Sequence, residues 1–171
     1  MVSGLDYQTA QGDRVIVGIL KKMGASVKIG DNFVEVTRKR LSGINLDAKD
    51  IPDLVPVCAV LACYAEGCSE IYNAKRLRYK ESDRLDSIST ELRKMGADIT
   101  VTDDGLAING ECPLYGTTVD PHNDHRIAMA CAVAALGAKG ETKIQNVECI
   151  NKSYPQFFSD LQLIGANVVG I

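Results

Sequence analysis

The stretch LRYKESDRLDSI, Leu77 to Ile88, gathers Arg78, Lys80, Glu81, Asp83 and Arg84 where an apolar helical pattern begins. Side chains of these types can do two things together. Guanidinium and ammonium groups bind phosphate or carboxylate, and a carboxylate held among them can accept or donate a proton. A solvated charged face is the simpler account of such a run. Placement argues for more: Arg78 and Lys80 share one side of an extended strand by the two-residue period, and Arg84 lies one helical turn past Lys80. They would converge beside the N–H groups of a helix start, which themselves attract anions.

Two further junctions are built alike. In DIPDLVPV, Asp53 stands where a carboxylate caps a helix, and capping alone is a sufficient reason for it. In DPHNDHRIAMA, Asn123 or Asp124 is placed to cap a helix that begins with His125 and Arg126. His125 by itself reads as a surface or capping residue. With an arginine beside it, the same place can bind a phosphate or carboxylate and exchange protons.

The elements that must position these residues repeat along the chain. LKKMGASV (Leu20 to Val27), LRKMGADI (Leu92 to Ile99) and LQLIGANV (Leu161 to Val168) are related, as are CAVLACYAEGCSEIYN (Cys58 to Asn73) and CAVAALGAKGETKIQN (Cys131 to Asn146). Gly24, Gly67, Gly96, Gly140 and Gly165 each follow an apolar helical stretch and read as helix stops. The pattern predicts helices over 15–23, 54–66, 82–95, 124–136 and 155–163. Strands are expected within 26–37 and over 69–72, 98–102, 106–109, 117–120, 142–147 and 167–169. One unit of about 70 residues, two helices and several strands, is thus present about two and a third times. Such units bury their apolar faces only by stacking, which implies an α/β chain with a shared helical core and sheets outside. RIAMACAVAALGA, apolar on nearly every side, suits the centre of that core.

The repeat also links the charges. A 73-residue offset carries Asp53 onto Arg126 and Lys80 onto Ser153, next to Lys152 in NKSYPQFF. If the units stack as copies, helices of one type start on one rim, and all these residues share one face.

Composition sets the frame: 171 residues, 46% hydrophobic and 24% charged, is a globular balance, and a net charge of −3 gives no general attraction to nucleic acid or an anionic membrane. Six cysteines without a CxxC pair, mostly in apolar runs, read as reduced, buried thiols and not as metal ligands. The opening MVSGLDYQTAQGDR has no basic segment followed by an apolar one, and no apolar run approaches a membrane span, so a cytoplasmic protein is expected.

At LRYKESDRL, NDHRIAMA, IPDLVPV and NKSYPQFF the sequence resembles the 5-enolpyruvylshikimate-3-phosphate synthases, and the resemblance extends over essentially the whole chain. It implies repeated βαβαββ units with helices inside and sheets outside, residues 1–171 forming a single partial lobe from the C-terminal half of such an enzyme. It implies transfer of the enolpyruvyl group of phosphoenolpyruvate to the 5-hydroxyl of shikimate 3-phosphate, releasing phosphate, with neither metal nor organic cofactor. Asp53 would accept the hydroxyl proton with Lys80 on the same group. Glu81 would be a proton donor near the enolpyruvyl carbon, and Lys152 would meet phosphoenolpyruvate and shuttle a proton. Arg84, His125 and Arg126 match positions that hold phosphoenolpyruvate, His125 also standing among the catalytic candidates. The family's N-terminal half, a source of further substrate contacts, has no counterpart in the 171 residues, so no turnover is expected from them alone.

Two alternatives share the pattern. A transferase acting on UDP-N-acetylglucosamine has the same implied fold, although KESDRL and DHRIAMA favour the shikimate enzyme. A noncatalytic anion-binding repeat module would keep the units without the reaction. RNA 3'-phosphate cyclases use related units, but the acidic balance and lack of basic stripes disfavour nucleic acid.

Overall fold

The structure is a computed structural model that describes residues 1–37 and 39–170; Arg38 and Ile171 lie outside the described residues. In chain order the elements are β1 (Val2–Ser3), α1 (Val15–Lys22), β2 (Ser26–Ile29), β3 (Phe33–Thr37), β4 (Asn45–Asp47), α2 (Val55–Cys63) and β5 (Cys68–Tyr72). There follow α3 (Arg84–Lys94), β6 (Asp98–Val101), β7 (Leu106–Asn109), β8 (Thr118–Val119), α4 (His125–Gly137), β9 (Lys143–Ile144) and α5 (Phe157–Leu163).

These elements form three sheets, ordered β1-β3-β2, β4-β5-β7-β6 and β8-β9. β4-α2-β5-α3-β6-β7 is one βαβαββ unit. β1-α1-β2-β3 before it matches the unit's last four elements, and β8-α4-β9-α5 after it matches the first four. Register repeats residue for residue: Asn45 faces Glu70 and Leu46 faces Ile71 in parallel, as Thr118 faces Lys143 and Val119 faces Ile144, each 73 positions on. The hairpin β2-β3 pairs Ser26 with Thr37 and Ile29 with Val34, as β6-β7 pairs Asp98 with Asn109 and Val101 with Leu106, each 72 on.

Helix ends repeat as well. After α1, α3 and α5, the N–H of Ala25, Ala97 and Ala166 returns to the carbonyl of Leu20, Leu92 and Leu161, while the intervening Gly24, Gly96 and Gly165 sit at positive φ. Each is a Schellman stop, which the left-handed glycine makes possible. Gly67 and Gly140 differ from the expectation. Their φ is positive too, but α2 and α4 have already ended at Cys63 and Gly137, so these glycines turn the chain just before β5 and β9.

The core follows the helices. α2, α3 and α4 pack on one another, and their buried faces (Val55, Ala59, Leu85, Ile88, Leu92 and Ile127 among them) form one apolar cluster with the inner faces of the sheets. α4 lies between this cluster and a second one in which Ala128 and Ala132 meet Ile150, Phe158 and Leu161. Alanines and Cys131 on α4 let neighbouring backbones approach from both sides, which is how an all-round apolar helix is accommodated.

Other expectations need correction. The segment 167–169 is not a strand, because no neighbouring strand among the described residues offers its backbone groups a ladder. β9 ends at Ile144, and Val147–Lys152 is a 3₁₀ turn. Lys75–Tyr79 is also 3₁₀ and not extended, so Arg78 and Lys80 do not share a strand face. Two short strands, β1 and β4, escaped the periodicity, being two and three residues long. Cys58, Cys63, Cys131 and Cys149 are buried thiols, burial pushing Cys58, Cys63 and Cys131 up to about 12, whereas Cys68 is exposed on β5 and Cys112 is half-buried.

One close backbone contact recurs inside successive units. The Gly43 N–H donates to the Glu66 carbonyl at 2.7 Å, and 73 residues on the Gly116 N–H donates to that of Lys139 at 2.8 Å. A Cβ at Gly43 would drive into the Cys68 carbonyl, and one at Gly116 into that of Glu141. Both obstacles are backbone and cannot rotate away. Gly116→Ala is expected to cost roughly 2–3 kcal/mol, measured by urea unfolding; a loss within 0.5 kcal/mol, as at an ordinary surface position, would contradict this reading.

Candidate functional site

Every α-helix brings its leading end to one rim. α3 begins with Arg84, whose side chain is 2% exposed although it carries a permanent charge. Burial is tolerable because all three guanidinium nitrogens meet carboxylates: Nε meets Asp124 at 2.7 Å, Nη1 meets Asp53 at 2.7 Å and Nη2 meets Glu81 at 2.6 Å. Asp53 comes from the 3₁₀ turn Pro52–Leu54 before α2, Glu81 from the loop before α3, and Asp124 from the N-cap of α4.

Asp124 does more than cap. Fully buried, it accepts the Arg126 N–H at 2.9 Å as a helix cap, the Ser82 hydroxyl at 3.2 Å, and Arg84. Asp53, in contrast, does not cap α2; its Oδ1 goes to Arg84 and stands 3.5 Å from Lys80 Nζ, while its Oδ2 stands 3.6 Å from Arg126 Nη2. Burial alone would raise the Asp53 carboxyl. The Arg84 hydrogen bond and the charges of Arg126 and Lys80 outweigh it and hold the group below its usual 3.8. Asp53 is therefore ionised at neutral pH and can serve as a base.

α4 supplies His125 and Arg126. His125 Nδ1 faces Glu81 at 4.0 Å, too far for a hydrogen bond, and both His125 Nδ1 and Arg126 Nε are buried with no hydrogen-bond partner among the described residues. Arg126 lies between two carboxylates, Asp53 and Asp13, each at 3.6 Å. Asp13 stands immediately before α1, so that helix also starts at the rim. Lys152 reaches the Asn123 carbonyl at 3.5 Å from the 3₁₀ turn leading to α5. A cleft of about 160 Å³ opens between α2 and α4, lined by Asp53, Arg126, Pro56, Met129, Val133 and Phe157 of α5. A larger hollow of about 330 Å³ on the outer face of the four-stranded sheet is lined by uncharged residues and one carboxylate, Glu70, and offers an anion nothing.

Burial lowers the His125 imidazole below its usual 6.5; Asp124 draws it back up and Arg126 pushes it further down. The unfolded chain therefore takes up this proton first, and folded stability falls as pH drops below 6.5. Asp53 adds a second loss below 3.8, as pH falls through its lowered folded value. His125→Gln removes the first of these, seen as a shallower decline of the urea midpoint between about pH 7 and pH 5; an unchanged slope would count against a neutral buried His125.

Of the residues singled out in the sequence, Asp53, Lys80, Glu81, Arg84, His125, Arg126 and Lys152 lie on this rim. Arg78 is turned outward to Asp83 at 3.0 Å and to the Thr102 carbonyl. Asp124 was legible only as a cap, and its hold on Arg84 gives no periodic signal. Asp13 gave no signal at all, because its partner is 113 residues away. Among the described residues no helix is long and apolar enough to cross a membrane and no acidic, histidine or cysteine cluster could hold a metal ion.

Comparison with known proteins supplies the family. Residues 1–161 match the model described as EPSP synthase (3-phosphoshikimate 1-carboxyvinyltransferase). Curated 3-phosphoshikimate 1-carboxyvinyltransferases from Clostridium novyi and Methanocella arvoryzae are 48% and 51% identical over 94% and 95% of the chain, which spans 37% and 39% of their lengths. An EPSP synthase structure from Acinetobacter baumannii superposes with a TM-score of 0.81 at 27% identity, over 95% of this chain and 40% of that one. An enolpyruvyl transferase from Streptomyces tendae gives 0.74 at 28% identity, over 88% of this chain and 34% of that one. With the fold, the register and the family model in agreement over nearly all of its length, the chain belongs to the EPSP synthase family.

Proposed function

We infer that these residues form one partial lobe of a 3-phosphoshikimate 1-carboxyvinyltransferase and provide the phosphoenolpyruvate side of its active site. The observation that carries the reading is the convergence of five helix starts on one rim, where Lys80, Arg84 and Arg126 ring Asp53, Arg84 also holds Glu81, and Lys152 reaches the turn that leads into α4. Helix N-termini add positive potential to four cations, which suits a substrate with both a phosphate and a carboxylate.

The roles follow from what each group has free. Arg126 has an unpartnered Nε and only loose ion pairs, and Lys152 holds a single carbonyl, so both are ready for an incoming anion. Each Arg84 nitrogen already meets a carboxylate and the side chain is 2% exposed, so a ligand reaches it most directly by replacing Asp53 or Glu81, whose side chains are 37% and 40% exposed and can yield. The ionised Asp53, beside Lys80, accepts the proton of the shikimate 3-phosphate 5-hydroxyl as that oxygen bonds to C2 of phosphoenolpyruvate. Protonation of C3 from Glu81 or Lys152 completes a tetrahedral ketal. Loss of the C2–O bond to phosphate and of a methyl proton then gives the enol ether. Neutral His125 steadies the anion as a hydrogen-bond donor without adding charge.

Shikimate 3-phosphate contacts beyond Asp53 and Lys80 belong to the remaining part of such an enzyme, so the chain alone is expected to bind phosphoenolpyruvate without turning it over. Calorimetry with each substrate, then an assay after mixing with the N-terminal half of a relative, tests this. Phosphoenolpyruvate binding that saturates at one site, and activity only in the mixture, is expected. Phosphoenolpyruvate binding with no activity in the mixture would leave the noncatalytic anion-binding module as the reading, and no binding of either substrate would overturn both.

A further inference from the structure

α3 holds a second buried charge that the reaction does not use. Glu91 is 0% exposed and lies two helical turns after Arg84, on the same face, about 10 Å further along the axis. Its carboxylate takes Lys94 Nζ at 2.9 Å on both oxygens, His122 Nε2 at 2.9 Å and the Asp120 backbone N–H at 3.1 Å. The last two contacts seize the turn Asp120–Asn123, which runs directly into the cap of α4.

That turn is under strain. His122 and Asn123 are consecutive non-glycine residues with φ of 53° and 57°, a conformation that persists only where its surroundings enforce it. The Asp120 side chain helps by accepting the His122 N–H at 2.9 Å. What the turn delivers is the site: Asn123 offers its carbonyl to Lys152, Asp124 caps α4 and binds Arg84, and His125 and Arg126 follow. α3 thus grips the approach to α4 at two points, with a cation on Asp124 and an anion on Asp120 and His122.

We propose that Glu91 is a positioning residue: through His122 and the Asp120–Asn123 turn it fixes where His125, Arg126 and the Lys152 partner carbonyl stand. It touches no reacting atom. A buried carboxylate is a costly way to hold a loop unless geometry is what it secures, since an apolar residue of similar volume would pack α3 without the desolvation cost. The proposal rests on the reading of the α4 start as an anion-binding site, and its test separates the two.

The chain has two histidines, so the ring signals of His125 are readily assigned by NMR once those of His122 are removed. The variants are Glu91→Gln and His122→Gln, the second at a half-exposed position that keeps the test open if the first lowers stability. Leu92→Ala, next to Glu91 and fully buried, is the control for destabilisation without loss of the clamp. Both clamp variants are expected to move the His125 ring and Arg126 side-chain N–H resonances, with no further movement when combined, and to weaken phosphoenolpyruvate binding about tenfold. Leu92→Ala leaves the resonances in place at a temperature where it is folded. Unmoved resonances in both variants, or moved resonances with unchanged affinity, overturn the proposal. Moved resonances in a chain that never bound phosphoenolpyruvate uphold the clamp and overturn the functional reading.

Discussion

Arg84→Met is expected to lower the stability of the chain by about 3–5 kcal/mol at neutral pH, the loss typical of breaking a buried charge network from one side. The side chain is 2% exposed and its three nitrogens neutralise Asp53, Glu81 and Asp124. Methionine fills much of the same space, so the effect is electrostatic and not a cavity. Asp53 and Glu81 can turn toward water, but Asp124 is fully buried and retains only the Ser82 hydroxyl and the α4 cap. Arg84→Met combined with Asp124→Asn should therefore recover part of the loss, since the amide keeps a capping oxygen and carries no charge. Urea unfolding at fixed pH measures both. A loss below about 1 kcal/mol for the single variant would place Arg84 among solvated surface pairs and dissolve the account of the rim.

Arg126→Ala is expected to act in the opposite way, leaving stability nearly unchanged while weakening phosphoenolpyruvate about a hundredfold. Its ion pairs with Asp13 and Asp53 are both 3.6 Å long, beyond hydrogen-bond distance, and its side chain is 28% exposed, so little stability depends on it. A ligand carboxylate or phosphate would gain two charge-assisted hydrogen bonds from the same fork, each contributing about 1.5–3 kcal/mol. Asp13→Asn gives the complementary result: with one competing carboxylate neutralised, affinity rises. Calorimetry reads both. Equal affinity for wild type and Arg126→Ala would remove Arg126 from the ligand site.

How much of this was legible depends on what a sequence records. Helices declare themselves by their apolar pattern, a recurring stripe over 84–94 and a nearly unbroken apolar run over 125–137, and the duplicated LRKMG and CAV segments fixed which elements are copies. The stacking argument then brought Asp53, Lys80, Glu81, Arg84, Arg126 and Lys152 to one rim without coordinates. Local geometry was harder to read: a two-residue alternation cannot distinguish strand from 3₁₀ turn at Lys75–Tyr79, and the side of the chain that Arg78 faces changed with it. Arg84 shows the limit best. Its type predicted an anion partner, but nothing in its neighbourhood indicated that three of the protein's own carboxylates already hold it. Glu91 was invisible for the same reason, since Glu-x-x-Lys on an amphipathic helix reads as a surface pair.

The Schellman ends of α1 and α3 have a consequence for how an anion meets the molecule. Both helices finish with paired basic residues, Lys21 with Lys22 and Arg93 with Lys94, against the negative pole of the backbone, whereas their opposite poles open on the candidate site. Exposed lysines at the blunt end invite a charged substrate to the wrong side, but with the carbonyl pole beneath them and solvent screening around them their pull fades within about 10 Å. Capture is thus left to the mouth of the cleft, and raising the ionic strength should slow association there while leaving the blunt end's weak encounters without effect on the rate.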